Sequence, residues 1–219
     1  MAVTTMSRQT GSGAEEVADR VAEELGLRMF DKGLMMRVAA EVGIHESEIV
    51  DYSEEEYEAR NFFERLFSRQ RTVAEVATRT RGTIGGEQIG TQVLDEARAI
   101  DLIRATVGAA YERGNVLIIG RGGQAILEDK PDVLHVRVVT PLEERVMRLQ
   151  EQENLTAPQA RRLAMERDRA TAEYLRTFHH INWDDPTLYH LAVNTGKLGM
   201  DKAVELIVAA AKGLQEAAA

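Results

Sequence analysis

A short β-prone run, Ala2–Met6, stops at Ser7-Arg8-Gln9-Thr10-Gly11-Ser12-Gly13, and an amphipathic helix follows at once. Val17, Ala18, Val21, Ala22 and Leu25 recur there at three- and four-residue steps, and Gly26 ends the helix. A strand running through a glycine-bearing loop into a helix points backbone N–H groups and the positive end of the helix dipole at one spot, where they favour an anion. Gly11 and Gly13 let the backbone approach such a ligand closely. The loop is not a Walker A sequence. With Gly13 as the last loop glycine, Arg8 stands at the first glycine, Ala14 at the lysine and Glu15 at the residue after it. Ser12-Gly13-Ala14-Glu15 also reads as a capping box, which would start any helix.

The strand-then-helix pattern continues. Leu27–Phe30 reads as a second strand leading into Asp31, and Leu34–Val42 as a helix closed by Gly43. Ser53–Thr80 is polar with an intermittent helical stripe (Phe62, Phe63, Leu66, Phe67, Val73, Val76), read as core or a dimer contact. Gly82–Gly90 reads as a mobile glycine loop, and Gln92–Arg113 as an amphipathic helix ended by Gly114. Strands are expected at Val116–Ile119, Val133–Val139 and Leu191–Asn194, with helices from Pro141 through Arg148, over Thr156–Arg176 and over Met200–Leu214. This alternation predicts an α/β fold with a parallel sheet covered by helices on both faces, which binds ligands at the carboxyl ends of its strands.

Composition narrows the setting. At 219 residues the chain suits one α/β unit or a core with an inserted subdomain. It has no cysteine, hence no disulfide framework and no thiolate metal site. No apolar run approaches the roughly eighteen residues of a membrane span, and the opening residues lack a signal-peptide pattern. The expected setting is cytoplasmic. A net charge of −9 argues against a general nucleic-acid or anionic-membrane binder. Within that acidic total, 22 arginines stand against five lysines. GC-rich codon bias explains part of that count, but arginine is also the side chain whose planar fork suits phosphate.

A second glycine loop, Gly120-Arg121-Gly122-Gly123-Gln124-Ala125, formally satisfies the dinucleotide fingerprint after a strand. An NAD-type oxidoreductase would then need a helix of ordinary length and an acidic residue ending the next strand. Pro131 leaves little room for the helix, and the strand ends Val138-Val139-Thr140 without a carboxylate. That reading ranks last. The adjacent His179-His180, with no partnered carboxylates, is not taken as a metal site.

Three segments together resemble the cytidylate kinase-like relatives of the P-loop nucleoside monophosphate kinases. They are Ser7–Gly13 with its helix ending Ala22-Glu23-Glu24-Leu25-Gly26, then Asp31-Lys32-Gly33-Leu34-Met35-Met36-Arg37, then Ile118-Ile119-Gly120-Arg121. Glu166-Arg167-Asp168-Arg169 and the stretch from Trp183-Asp184-Asp185-Pro186 to Asn194-Thr195-Gly196-Lys197-Leu198-Gly199 are similar to the family's C-terminal part. The resemblance spans most of the chain except roughly 53–92. It implies a P-loop NTPase-like core (1–52, 93–157 and 191–219), a helical acceptor-binding insertion (53–92) and an arginine-bearing lid (158–190).

The resemblance also implies roles. Gly11, Ser12, Gly13 and Ala14 would hold the donor β-phosphate, with Asn194, Thr195 and Lys197 beside the donor base. Asp31 would serve a magnesium-bound water or the attacking phosphate, and Arg37 and Arg121 would grip the acceptor phosphate. Arg167, Arg169 and Arg176 would belong to the lid. ATP and Mg2+ are the implied cofactors, with no direct protein metal ligand assigned, and the implied partner is a small phosphate acceptor. Two departures bear on this reading. The Walker lysine is absent, with Arg8 the favoured substitute, and Gly122 stands where true cytidylate kinases carry aspartate, which opens the acceptor's identity. The sequence thus leads to an ATP-dependent phosphotransferase acting on a nucleoside monophosphate or similar acceptor. The alternative is a catalytically degenerate nucleotide- or anion-binding regulator.

Overall fold

The computed structural model describes residues 2–30 and 96–217. Asp31, Arg37, the expected helix over 34–42, the aromatic stripe and the glycine loop over 82–90 lie outside the described residues. Strand β1 (Val3–Arg8) is buried along most of its length and occupies the centre of a parallel sheet. Its neighbours are β3 (Val116–Ile119) on one side and β4 (Val133–Val139) on the other, with β2 (Arg28–Met29) and β5 (Leu191–Asn194) at the edges. The order is β2-β3-β1-β4-β5, and every pairing is parallel. Such strands bury both faces, which is why 116–119 reads as a continuous apolar run and 133–139 as one broken only by His135 and Arg137.

Helix α1 (Ala14–Leu25) turns Ala14, Val17, Ala18, Val21 and Ala22 onto the sheet. It shares that face with the C-terminal helix α7 (Met200–Ala217), whose Ala203, Val204, Ile207, Val208 and Ala211 complete the core. The opposite face is covered by α2 (Glu96–Arg113), through Ile103, Val107 and Ala110 against Val3, Val116 and Ile118. Helices α4 (Leu142–Glu153) and α5 (Ala157–His179) pack on each other through Val146, Leu149, Ala160 and Ala164. Helix α5 runs unbroken for 23 residues and opens on a capping box formed by Thr156 and Gln159. After β3 there is only a four-residue helix, α3 (Gly123–Ile126), and another four-residue helix, α6 (Thr195–Leu198), follows β5.

The chain crosses β1 between β3 and β4, so the two halves of the sheet leave from the carboxyl end of β1 in opposite directions. That switch point is the general ligand crevice of open α/β sheets. The residue following β1 is therefore the start of the loop singled out from sequence.

Candidate functional site

The loop from Gln9 to Gly13 is held from below by the sheet. Gln9 N–H donates to the Val138 carbonyl at 3.1 Å, and its side-chain oxygen accepts from Thr140 N–H at 3.1 Å. Gly11 and Gly13 adopt left-handed φ values of 76° and 75°. The space around Gly13 is taken as well, since a Cβ there would lie 2.0 Å from the Met200 methyl. Among the described residues, the N–H groups of Gly11, Gly13 and Ala14 have no hydrogen-bond partner. They lie in the loop leading into the first turn of α1, where the helix N-terminus favours an anion.

The capping box expected at Ser12 does not form. Gly13 is the N-cap and no side chain caps the helix; the wholly buried Ser12 hydroxyl bonds nothing among the described residues. The reason is the loop's left-handed turn, which carries Ser12 into the interior. Its carbonyl there accepts from Arg148 Nη1 at 2.8 Å and from Thr195 Oγ1 at 2.7 Å. Thr140 Oγ1 hydrogen-bonds Thr195 Oγ1 in turn. The segment after β5 is thereby bound directly to the loop.

The outer side of the loop is gripped by α4 and α5. Arg145 Nη1 donates to the Thr10 carbonyl at 3.1 Å, Thr10 N–H donates to Asp168 Oδ1 at 2.8 Å, and Arg148 Nη1 lies 3.4 Å from the Gly11 carbonyl. Arg8, at the end of β1, pairs its Nε with the Glu15 carboxylate. Glu15, awkward in sequence beside a phosphate loop, thus has a cationic partner.

One strand over, Arg121 follows β3 in a left-handed conformation (φ 56°) with its guanidinium 5.5 Å above the Phe30 ring. Phe30 ends the described part of the β2 segment, so Arg121 and the β1 loop share the carboxyl edge of the sheet. Arg167 stands apart from Arg169 and Arg176. Arg167 lies 3.9 Å from Glu153, Arg169 pairs with Glu173 at 3.2 Å, and Arg169 is 79% exposed. Arg169 and Arg176 line a groove of about 420 Å³ together with Trp183. Asn194 Oδ1 caps α6, accepting from the Gly196 and Lys197 N–H groups at 3.1 Å, while the Lys197 residue is exposed.

Several contributors were not singled out from sequence. Arg137 is buried inside β4, stacked 4.1 Å from Trp183 and 5.5 Å from Tyr189. It donates to the Trp183 carbonyl at 2.7 Å and to Asp184 at 2.6 Å. Trp183 Nε1 donates to Ser7 Oγ at 2.7 Å, fastening the segment after α5 to the end of β1. An arginine within the apolar run Val136-Arg137-Val138 was the available signal. For Arg145 and Arg148 it was their three-residue spacing, which puts both on one helical face. Two histidines are neutralised by their surroundings. Burial, then the charge of His190, pushes His135 down to about 4; burial, then Arg104 and His180, pushes His179 down to about 4.

Among the described residues no group of three His, Cys, Asp or Glu side chains is placed to hold a metal ion. The two acidic residues at the loop, Glu15 and Asp168, are each paired with an arginine. A divalent ion at this site would therefore be held chiefly by nucleotide phosphates and water, a fit that magnesium's octahedral, water-retaining coordination allows.

Comparison with known proteins agrees with this geometry. The model of the cytidylate kinase-like family matches residues 3–197. The chain belongs to the cytidylate kinase-like family. It is 26% identical over 208 residues to the cytidylate kinase of Ignicoccus hospitalis, covering 94% of this chain and 97% of that protein. With the cytidylate kinase of Methanocaldococcus jannaschii it shares 23% over 218 residues, 98% of this chain and 99% of the relative. The crystal structure of an uncharacterized protein from Eubacterium ventriosum superposes with a TM-score of 0.63 at 21% identity, covering 97% and 98% of the two chains. The fold is that of the α/β P-loop kinases, and a nucleotide kinase-like function goes with the family. No helix among the described residues is long and apolar enough to cross a membrane.

Proposed function

We propose that this protein transfers the γ-phosphoryl group of ATP to a nucleoside monophosphate or a similar small phosphorylated acceptor. The observation that carries the reading is the cradle itself. Three N–H groups, of Gly11, Gly13 and Ala14, lack partners among the described residues and meet the N-terminus of α1 at the sheet's switch point. Phosphoryl transfer asks the protein for positioning and charge more than for covalent chemistry. An oxygen of the acceptor phosphate attacks the γ-phosphorus as the bond to the β-phosphate oxygen breaks, and ADP leaves. The cradle holds the β-phosphate, and Arg121, with Arg37, grips the acceptor phosphate as a charge-assisted fork. Asn194, Thr195 and Lys197 lie on the donor side, where Thr195 is bonded to the loop. Magnesium, when bound with the nucleotide, would supply neutralisation of the phosphate charge, with no protein side chain assigned as its direct ligand. Arg167, Arg169 and Arg176 act only if α5 moves relative to the core, since Arg167 lies beside Glu153 while Arg169 and Arg176 line the groove beside Trp183.

A regulatory, non-catalytic reading is favoured by Ala14 at the lysine position and by the engagement of Arg8 with Glu15. ADP release measured across a panel of nucleoside monophosphates separates the two. The relatives named cytidylate kinase put cytidylate first on that panel, and Gly122 makes the other bases necessary. Turnover with any acceptor supports the transferase. ATP binding without turnover on any of them leaves the regulator.

A further inference from the structure

Three consecutive residues after β3 have positive φ: Gly120 at 65°, Arg121 at 56° and Gly122 at 66°. Two are glycines, which adopt this region freely; Arg121 does so against the preference of its Cβ. Such a conformation persists only where the surroundings enforce it, and it clusters at working sites. The turn is anchored toward β1 by Gly120 N–H donating to the Met6 carbonyl at 2.9 Å, and toward α3 by Ala125 and Ile126 N–H donating to the Gly122 carbonyl at 2.9 Å. Its outer side is closed by the last residue of α5. A Cβ at Gly122 would lie 2.6 Å from His179 Nε2, so the imidazole edge rests on the Gly122 backbone where any side chain would stand.

His179 is itself well fixed. Its ring packs 5.4 Å from Tyr174, edge-on, and its Nε2 lies 3.4 Å from the Tyr174 hydroxyl. The preceding carbonyl, of Phe178, accepts from Arg104 Nη2 on α2 at 2.8 Å. His180 then ends the helix in the left-handed conformation (φ 58°). Burial and the charge of Arg104 keep the imidazole neutral near pH 7, so it does not compete with Arg121 for an anion.

We propose that His179 is a positioning residue for Arg121: packed on Gly122, it sets the backbone of the Gly120–Gly122 turn and so couples the end of α5 to the arginine that grips the acceptor. The inference rests on the reading of Arg121 as an acceptor-phosphate ligand. Motion of α5 at one end then changes the aim of Arg121 at the other, without His179 touching the substrate.

A double-mutant cycle tests it. His179→Ala and His179→Gln are measured in the wild-type and Arg121→Lys backgrounds. The readouts are nucleoside monophosphate affinity by calorimetry, and acceptor and ATP KM by ADP release. Melting temperature identifies any variant that has lost its fold, and the Gln variant then carries the cycle. The expected result is a monophosphate affinity weakened about tenfold by His179→Ala. ATP KM stays unchanged, Gln recovers part of the loss, and little further loss appears in the Arg121→Lys background. An equal loss in both backgrounds, a parallel rise in ATP KM, or no change overturns the proposal. If wild-type protein binds monophosphates but phosphorylates none, the transferase reading falls, and the calorimetric cycle still decides the role of His179. If it binds none, both fall.

Discussion

Arg145 and Asp168 meet at 2.6 Å, Nη1 to Oδ2, with the backbone of Thr10 clamped between them. Arg145 donates to the Thr10 carbonyl while Asp168 accepts from the Thr10 N–H, so α4 and α5 hold the two peptide groups that flank the Thr10 Cα. The side chains are 8% and 16% exposed, which makes this an interior ion pair. Removing one member strands a buried charge, at a cost of about 3–5 kcal/mol. Asp168→Ala is expected to lower the unfolding free energy by about 3 kcal/mol or more, read from denaturant melts. Asp168→Asn is expected to cost less, because its amide oxygen still accepts from Thr10.

Gly13→Ala meets two obstacles. Its φ of 75° disfavours any Cβ, and the Met200 methyl occupies the space. Methionine is flexible and can yield; the backbone cannot. The variant is therefore expected to lose the thermal protection that ATP confers on the wild type. Adding Met200→Ala should restore the melting temperature in part without restoring that protection. Recovery of both would show that packing alone mattered.

Arg8 stands at the mouth of the loop, paired with Glu15. If its guanidinium supplies the charge that the missing lysine would, Arg8→Ala removes a charge-assisted bond worth about 1.5–3 kcal/mol in the transition state, or about tenfold to a hundredfold in kcat. Glu15→Gln releases Arg8 and is expected to tighten ATP binding. Steady-state ADP release and ATP titration check the pair. Full activity in Arg8→Ala assigns the compensation to another residue.

His135 and His179 each have a pKa lowered from 6.5 to about 4. Unfolded chains take up these protons near 6.5, whereas the folded protein resists them until near 4. In that interval the unfolded state binds more protons, so stability rises with pH. The contribution is complete above 6.5 and is lost as pH falls toward 4. Melting temperatures are expected to decline across this window. His135→Gln should flatten the decline, because the buried ring hydrogen-bonded to Thr5 is the better shielded of the two.

Much of the scaffold was visible in local pattern. The strands Val116–Ile119, Val133–Val139 and Leu191–Asn194 have the bounds their apolar runs suggest. Among the described residues helices lie where periodicity put them, but the sequence reading cut them short: α5 continues past Arg176 to His179, where it reaches Gly122. The capping box read at Ser12 does not form, and the one that does form lies at Thr156. The Thr156 cap is completed by residues three positions apart, whereas the Ser12 residue is drawn inward, its carbonyl bonded by Arg148 and Thr195 from distant elements.

The sequence by itself determined the βα alternation, the glycine loop after the first strand and Arg121 after the third, because periodicity and backbone permissiveness act over a few residues. It also carried enough order and spacing to place the chain among the cytidylate kinase-like proteins. Tertiary structure decided which arginines hold the loop. Arg145 and Arg148 reach it from α4, and Arg137 is buried against Trp183, while Arg167 and Arg169 face other carboxylates. All are the same residue type on polar or mixed segments. Their roles depend on which backbone carbonyl or carboxylate the packing brings within about 3 Å, a distance that spacing along the chain does not encode.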